Sequence, residues 1–518
     1  MDSLREKEGY ILNLLTEIYI FVMVLCFPLM VDKTGFFHIF ECKWYSYLCI
    51  ALTYLIIVFI VYLYFLIFKK INYFKGKKLH IIQIMIIIFM IINIVSCFIS
   101  PYFSRYNLFI GVGRGEGVIM MLLYGLTFLC ITFFGKFSKR YFLYFAVSSI
   151  LISLVAILQY IGFNPFNMYQ NGIGTHNVSF MSTIGNVDFL SSMYCIFLPL
   201  SFYCFIFLDD GFKNKIVYYL SVIMGTLIFS VIDVLSGKVA FLFIFVISLP
   251  FIVSNNKRLS NFLLMLTAVL GAYCINIIIN PVYKYSINKL VLDFQFNYIT
   301  LLFIIVIGIL IYLSKVLKNI NYDFRDNKKI IKGFYLFILV MGLFGILLLY
   351  FYKFDSGMLY EIHEILHGNF KDEFGTYRIF LWKRTFKIFG EYPYFGSGPD
   401  TFALRFMSKF RDDVALIGPV TINDTAANVY LTMLINIGVF GLVSYLLFVL
   451  FQVIFGIKNI NKYSSIFLLT IICYLTQDFF NISLVITTPI FYLLMGVHYI
   501  SLNDFLKSKK NKKLVKKY

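Results

Sequence analysis

Fourteen apolar runs, most of them close to a bilayer crossing in length, recur along this chain: 10–31, 45–68, 79–99, 117–134, 141–162, 190–208, 216–235, 238–253, 260–279, 298–315, 332–352, 428–454, 464–480 and 483–502. Roughly 20 apolar residues in a helix cover the hydrocarbon of a membrane. The runs therefore predict an all-α polytopic membrane protein with about 14 (12–14) transmembrane helices. The first run is followed by many others, so it reads as a spanning helix and not as a cleaved leader. The run 238–253 is short, and only a tight turn separates 464–480 from 483–502.

Residue usage agrees with this: 60% of the residues are hydrophobic and 14% charged, too apolar for a soluble domain to hide. A net charge of +19 would suit a nucleic-acid binder, but the lysines sit mostly in short connections and in the tail Lys507–Lys517. That is the pattern of the positive-inside rule, so membrane lipid is the expected surroundings and no nucleic acid is implied. The tail places the C-terminus in the cytoplasm. Counting back, the basic connections 455–463, 317–331, 254–259, 209–215, 135–140 and 69–78 all fall inside, and the N-terminus with Arg5 and Lys7 returns there too. Lys33, Lys43, Lys284 and Lys289 fall outside against the trend. The chain then divides into a transmembrane bundle (1–352), a large extracellular loop carrying short helices (353–427), C-terminal transmembrane helices (428–503) and a basic cytoplasmic tail (504–518). Nine cysteines include no C-x-x-C pair, so neither a zinc site nor a disulfide framework is expected.

Only ten of the 45 basic residues are arginines, yet Arg105, Arg114, Arg378, Arg384, Arg405 and Arg411 all fall on the outer side. A guanidinium offers a planar fork of donors matched to phosphate oxygens, which suits an anionic head group such as a lipid pyrophosphate. Lys238, near Asp233, is a further candidate contact, while Asp233 itself reads as a helix-end residue. His363-Glu364-Ile365-Leu366-His367 has the H-E-x-x-H spacing of a zinc site, with Glu391 downstream. So short a string arises often by chance, and no metal is assigned to it.

Four stretches, in the long loop and at the start of the helix that follows it, carry a resemblance. Gly375-Thr-Tyr-Arg378-Ile-Phe-Leu-Trp382 is followed by Pro393-Tyr-Phe-Gly396-Ser-Gly398-Pro399-Asp400-Thr-Phe402, then by Asp424-Thr-Ala-Ala427-Asn428-Val-Tyr430-Leu431 and Gly438-Val-Phe-Gly441. Their order and spacing resemble the O-antigen ligase and polymerase superfamily. Gly113-Arg114-Gly115-Glu116-Gly117 and Thr183-Ile-Gly185-Asn186 resemble segments of its Gram-positive members. The resemblance implies a glycosyltransferase acting on an undecaprenyl-pyrophosphate-linked oligosaccharide at the outer face, working with a flippase and a chain-length regulator and needing no cofactor. By the family's pattern Arg378 binds the pyrophosphate and Arg114 is a second clamp. Glu116, Arg384, Asp400 and Lys238 join the substrate site, Trp382 stacks on a sugar or sits at the membrane interface, and Gly396 and Gly398 shape a turn close to the ligand. Where members carry a His that activates the acceptor hydroxyl, this chain has Ala427. Asp424, with Asn428 beside it, is then the candidate base, and His176, His363 and His367 are alternatives. Two other readings stand: a flippase for lipid-linked oligosaccharides, and an assembly protein that binds such a lipid without turning it over.

Overall fold

The structure, a computed structural model, describes residues 2–515 except 37, 75–77, 162, 169–180, 233, 284–289, 295, 296, 326 and 418–423. His176, Asp233, Lys284 and Lys289 lie outside the described residues. Among those described, nine α-helices fill the first half: α1 (Asp2–Phe21), α2 (Ile39–Phe68), α3 (Ile81–Phe98), α4 (Val118–Phe134), α5 (Arg140–Tyr160), α6 (Val187–Phe207), α7 (Phe212–Val231), α8 (Leu235–Val253) and α9 (Asn256–Ile278). A hairpin of β1 (Ile279–Tyr283) and β2 (Leu290–Phe294) follows, antiparallel with Ile279 opposite Phe294. Then come α10 (Tyr298–Asn319), α11 (Lys328–Phe351), the short helices α12 (Gly357–Leu366), α13 (Arg378–Phe389) and α14 (Phe402–Ile417), and finally α15 (Val429–Lys458), α16 (Lys462–Asp478) and α17 (Thr488–Val515).

All fourteen apolar runs fall largely on helices. Among the described residues, eleven helices are long and apolar enough to cross a membrane, and α4, at 17 residues, is a shorter apolar one. The chain is a polytopic helical membrane protein. Two details depart from the sequence reading. The hairpin occupies a stretch expected to be plain loop, and the run 428–454, expected to be one helix, is broken within α15 at Gly438 (φ 69, ψ −172).

Burial is graded across the bundle. In α6, 94% of the apolar window is buried, whereas α11 buries none of its own. Lipid is as apolar as leucine, so helix association in a membrane relies on close packing and polar pairs. The central helix accordingly carries the hydroxyls: Tyr194 pairs with Ser153 of α5 (2.9 Å), Ser201 with Ser221 of α7 (2.8 Å) and Tyr203 with Ser248 of α8 (2.9 Å). Lys43 also serves packing. Its buried ammonium donates to the carbonyls of Phe27 and Pro28, both at 2.8 Å, capping the π and 3-10 turns that end the first span.

Candidate functional site

The break in α15 is where the long loop attaches. A broken helix leaves backbone groups without partners, and the segment Pro393–Gly398 supplies them. Ser397 and Gly398 donate N–H groups to the carbonyls of Ile435 (3.0 Å) and Asn436 (2.8 Å), while Val439 and Phe440 donate to those of Pro393 (2.8 Å) and Tyr394 (3.0 Å). Gly396 (φ 71) and Gly438 (φ 69) make this approach feasible, because a Cβ on either would collide with the other strand's backbone. From α3, Ser96 donates to the Phe395 carbonyl at 2.6 Å, and Ser100 bonds to that of Ser397. Gly398 passes against Ser100, where a side chain would not fit.

The turn delivers Asp400 (φ 58) to the segment before α4. Its carboxylate accepts the N–H groups of Gly113 and Arg114, each at 2.9 Å. Burial pushes its pKa up to about 6 despite those donors. From the other side, the Trp44 indole donates to the Gly115 carbonyl at 2.9 Å. With its backbone held, Arg114 turns its guanidinium to Asp424 in a two-pronged ion pair of 2.6 and 3.1 Å. Asp424, the candidate base by its place in the motif, thus has both oxygens engaged.

Arg378 opens α13 and reaches the turn between α16 and α17. It donates to the Phe480 carbonyl from Nε (3.3 Å) and Nη2 (3.0 Å), and to the Gly375 carbonyl from Nη1 (2.9 Å). Asp188, at the start of α6, lies within electrostatic reach of both Arg378 and Arg114. An apolar groove of about 300 Å³ is lined by Phe243, Ile472, Leu475, Thr476, Phe479 and Phe480, the last being the residue whose carbonyl Arg378 holds. Beside Arg114 is a smaller cavity of about 50 Å³, lined among others by Glu116, Asp400, Thr425, Asn436 and Ser483. Glu116 is buried there. Its two oxygens accept from the hydroxyls of Tyr124 (2.8 Å) and Ser483 (3.2 Å), and burial pushes its pKa up to about 8.

Other residues singled out by sequence have different duties. The Trp382 indole donates to the Ala426 carbonyl at 3.0 Å and its ring meets Phe479 edge-on, so it pins the 424–428 segment to α13. Arg384 ties α13 to α14 through Asp413 (2.8 Å) and to Asp372 (2.9 Å). Asn428 caps α15, accepting the Leu431 N–H at 3.0 Å. Ala427 (φ 47) packs against the apolar cluster of α13 and α14. Lys238 is half-buried in the first turn of α8, away from the residues that line the Arg114 cavity, although Phe243 of the same helix lines the groove. Arg405 is buried and bonds to Glu391 (3.1 Å) and the Ile388 carbonyl, while Arg105 and Arg411 are exposed. In the H-E-x-x-H string, His363 Nδ1 contacts the Leu349 carbonyl at 2.9 Å and His367 Nδ1 that of His363 at 2.8 Å. Glu391 is committed to Arg405 and Lys409. Asp188 and Ser483, both close to the arginines, belong to no motif and were missed by sequence reasoning.

Residues 295–446 match the family model described as O-Antigen ligase. No curated protein matches the chain. The matched stretch runs from the end of the hairpin into α15. It holds Arg378, Asp400 and Asp424, while Arg114, Glu116 and Asp188 come from the bundle before it and Ser483 from after it. Over this domain, which docks on the ends of the bundle helices, the chain is similar to the O-Antigen ligase family.

Proposed function

We propose that this chain is a glycosyltransferase of the O-antigen ligase and polymerase type that transfers or polymerises undecaprenyl-pyrophosphate-linked glycan at the outer face of the cell membrane, for surface polysaccharide assembly. The observation that carries the reading is the adjacency of Arg378 to an apolar groove that Phe480 helps to line. A polyprenyl pyrophosphate needs an apolar channel that meets a fixed cation, and this arrangement offers both. Three of the five guanidinium N–H groups of Arg378 are engaged by backbone carbonyls, which leaves two for an anion. As the bond from the anomeric carbon to the pyrophosphate breaks, the leaving oxygen keeps the electron pair. Fixed donors in a partly dry site stabilise that charge without reorganising. Arg114, already paired with Asp424, serves as the second, weaker clamp. The basic tail sets the orientation, with both termini in the cytoplasm and the 353–427 segment outside.

The test is reconstitution of the purified protein with undecaprenyl-pyrophosphate-linked repeats, followed by gel analysis of the glycan. Longer chains, or transfer to an added acceptor, are expected. Transbilayer movement of the lipid without any product would replace this reading with the flippase. Tight lipid binding with neither product nor movement would leave a glycan-lipid-binding assembly protein.

A further inference from the structure

Transfer to a hydroxyl requires a group that takes its proton, and Asp424, Asp400, Asp188 and Glu116 are carboxyls near the two arginines. Asp424 has both oxygens on Arg114, and Asp400 has its own on the Gly113 and Arg114 amides. Asp188 is at the start of α6, apart from the residues that line the small cavity. Glu116 lines that cavity, and its oxygens receive the rotatable hydroxyls of Tyr124 and Ser483. Each carboxylate oxygen has a second lone pair, so both can accept a further proton donor.

We infer that Glu116 is the proton acceptor of the transfer step, reached through the cavity it shares with Arg114. This rests on the transferase reading above. The cavity admits water but not a sugar ring, so the proton travels through water held there. The acceptor oxygen forms its bond to the anomeric carbon, the bond to pyrophosphate breaks with its electron pair, and the hydroxyl proton ends on Glu116. It then leaves by the same water to the departing pyrophosphate. The groups facing Glu116 are Tyr124 of α4, Tyr47 of α2, Tyr474 of α16, Tyr492 of α17 and Asp400. Arg114 lines the same cavity, and burial, reinforced by Asp400, holds the carboxyl close to its proton at neutral pH against the Tyr124 and Ser483 donors, the condition under which a general base works best.

The experiment compares the parent with Glu116→Gln, Glu116→Asp and Ser483→Ala in single-turnover transfer between pH 5.5 and 9, with undecaprenyl pyrophosphate binding measured on the same samples. The base must be ionised, so the parent rate should rise with pH toward a plateau near 8 and above. Glu116→Gln should lower transfer about 10²–10⁴-fold, keep donor affinity and flatten the profile, with Glu116→Asp restoring part of the rate. Ser483→Ala removes a donor to the ionised form and should move the profile to higher pH. Parental transfer by Glu116→Gln, a loss matched by equal loss of donor affinity, or an unmoved Ser483→Ala profile overturns the assignment while the transferase reading stands. A folded parent that gives no product with any donor overturns both.

Discussion

Backbone carbonyls fix the plane of the Arg378 guanidinium before any ligand arrives. Arg378→Lys keeps the charge but loses the fork, so undecaprenyl pyrophosphate should bind about tenfold more weakly, one charge-assisted hydrogen bond's worth. Arg411→Lys, on the exposed face of α14, should change the same affinity little; equal losses in the two variants would remove Arg378 from the site. Glu116 makes a second expectation, in stability. Its folded pKa of about 8 lies above the ordinary 4.5, so the fold binds more protons than the unfolded chain between those values. Its contribution is fully present below pH 4.5 and is lost as pH rises through about 8. The unfolding temperature in detergent should therefore fall over that window, and Glu116→Gln should flatten the decline. Arg378, Asp400 and the paired glycines were legible because their motifs fix both residue type and spacing. Asp188 and Ser483 were not, since their contacts lie 293 and 367 residues along the chain, at Asn481 and Glu116.

Helices were the most legible elements, because a long apolar run in lipid has few ways to satisfy its backbone. The break in α15 was hidden for the same reason: Gly438 sits in a run that is apolar on both sides, and only the approach of Pro393–Gly398 shows why the helix opens there. Gly438→Ala should cost about 1–3 kcal/mol, the usual range for a side chain forced into left-handed backbone, and more if the Tyr394 carbonyl cannot retreat. Gly308→Ala in α10, where a Cβ meets open space, is the control and should leave the unfolding temperature within error. Similar behaviour of the two variants would mean that the stitching of loop to helix is dispensable. The sequence placed short helices in the loop correctly, but their ion pairs, such as Arg384 with Asp372 and Asp413, could not be told from anion contacts without the fold.

At the scale of the molecule, apolar side chains fill the interior and also cover the outer helices. Hydroxyls gather around α6, while α10 and α11 present isoleucines, leucines and phenylalanines outward. The placement of the ends is open to direct measurement. A reporter fused after Ile417 should be accessible only from outside, and one fused after Lys513 only from the cytoplasm, as the alternation of basic connections requires. Both on one side would sink the fourteen-span reading. Composition and periodicity could supply the apolar helices but not which of them become the centre, because burial in a bundle depends on which faces carry small and polar side chains.

The grip of Asp400 on the amides of Gly113 and Arg114 joins residues 287 and 286 positions apart. A ribosome adding about 5–20 residues per second takes tens of seconds to bridge that distance. Throughout the interval the early helices are already in the bilayer with the Gly113–Arg114 amides and the Arg114 charge still waiting for their partners. The site is therefore a late product of biogenesis, closed only after most of the bundle has been made.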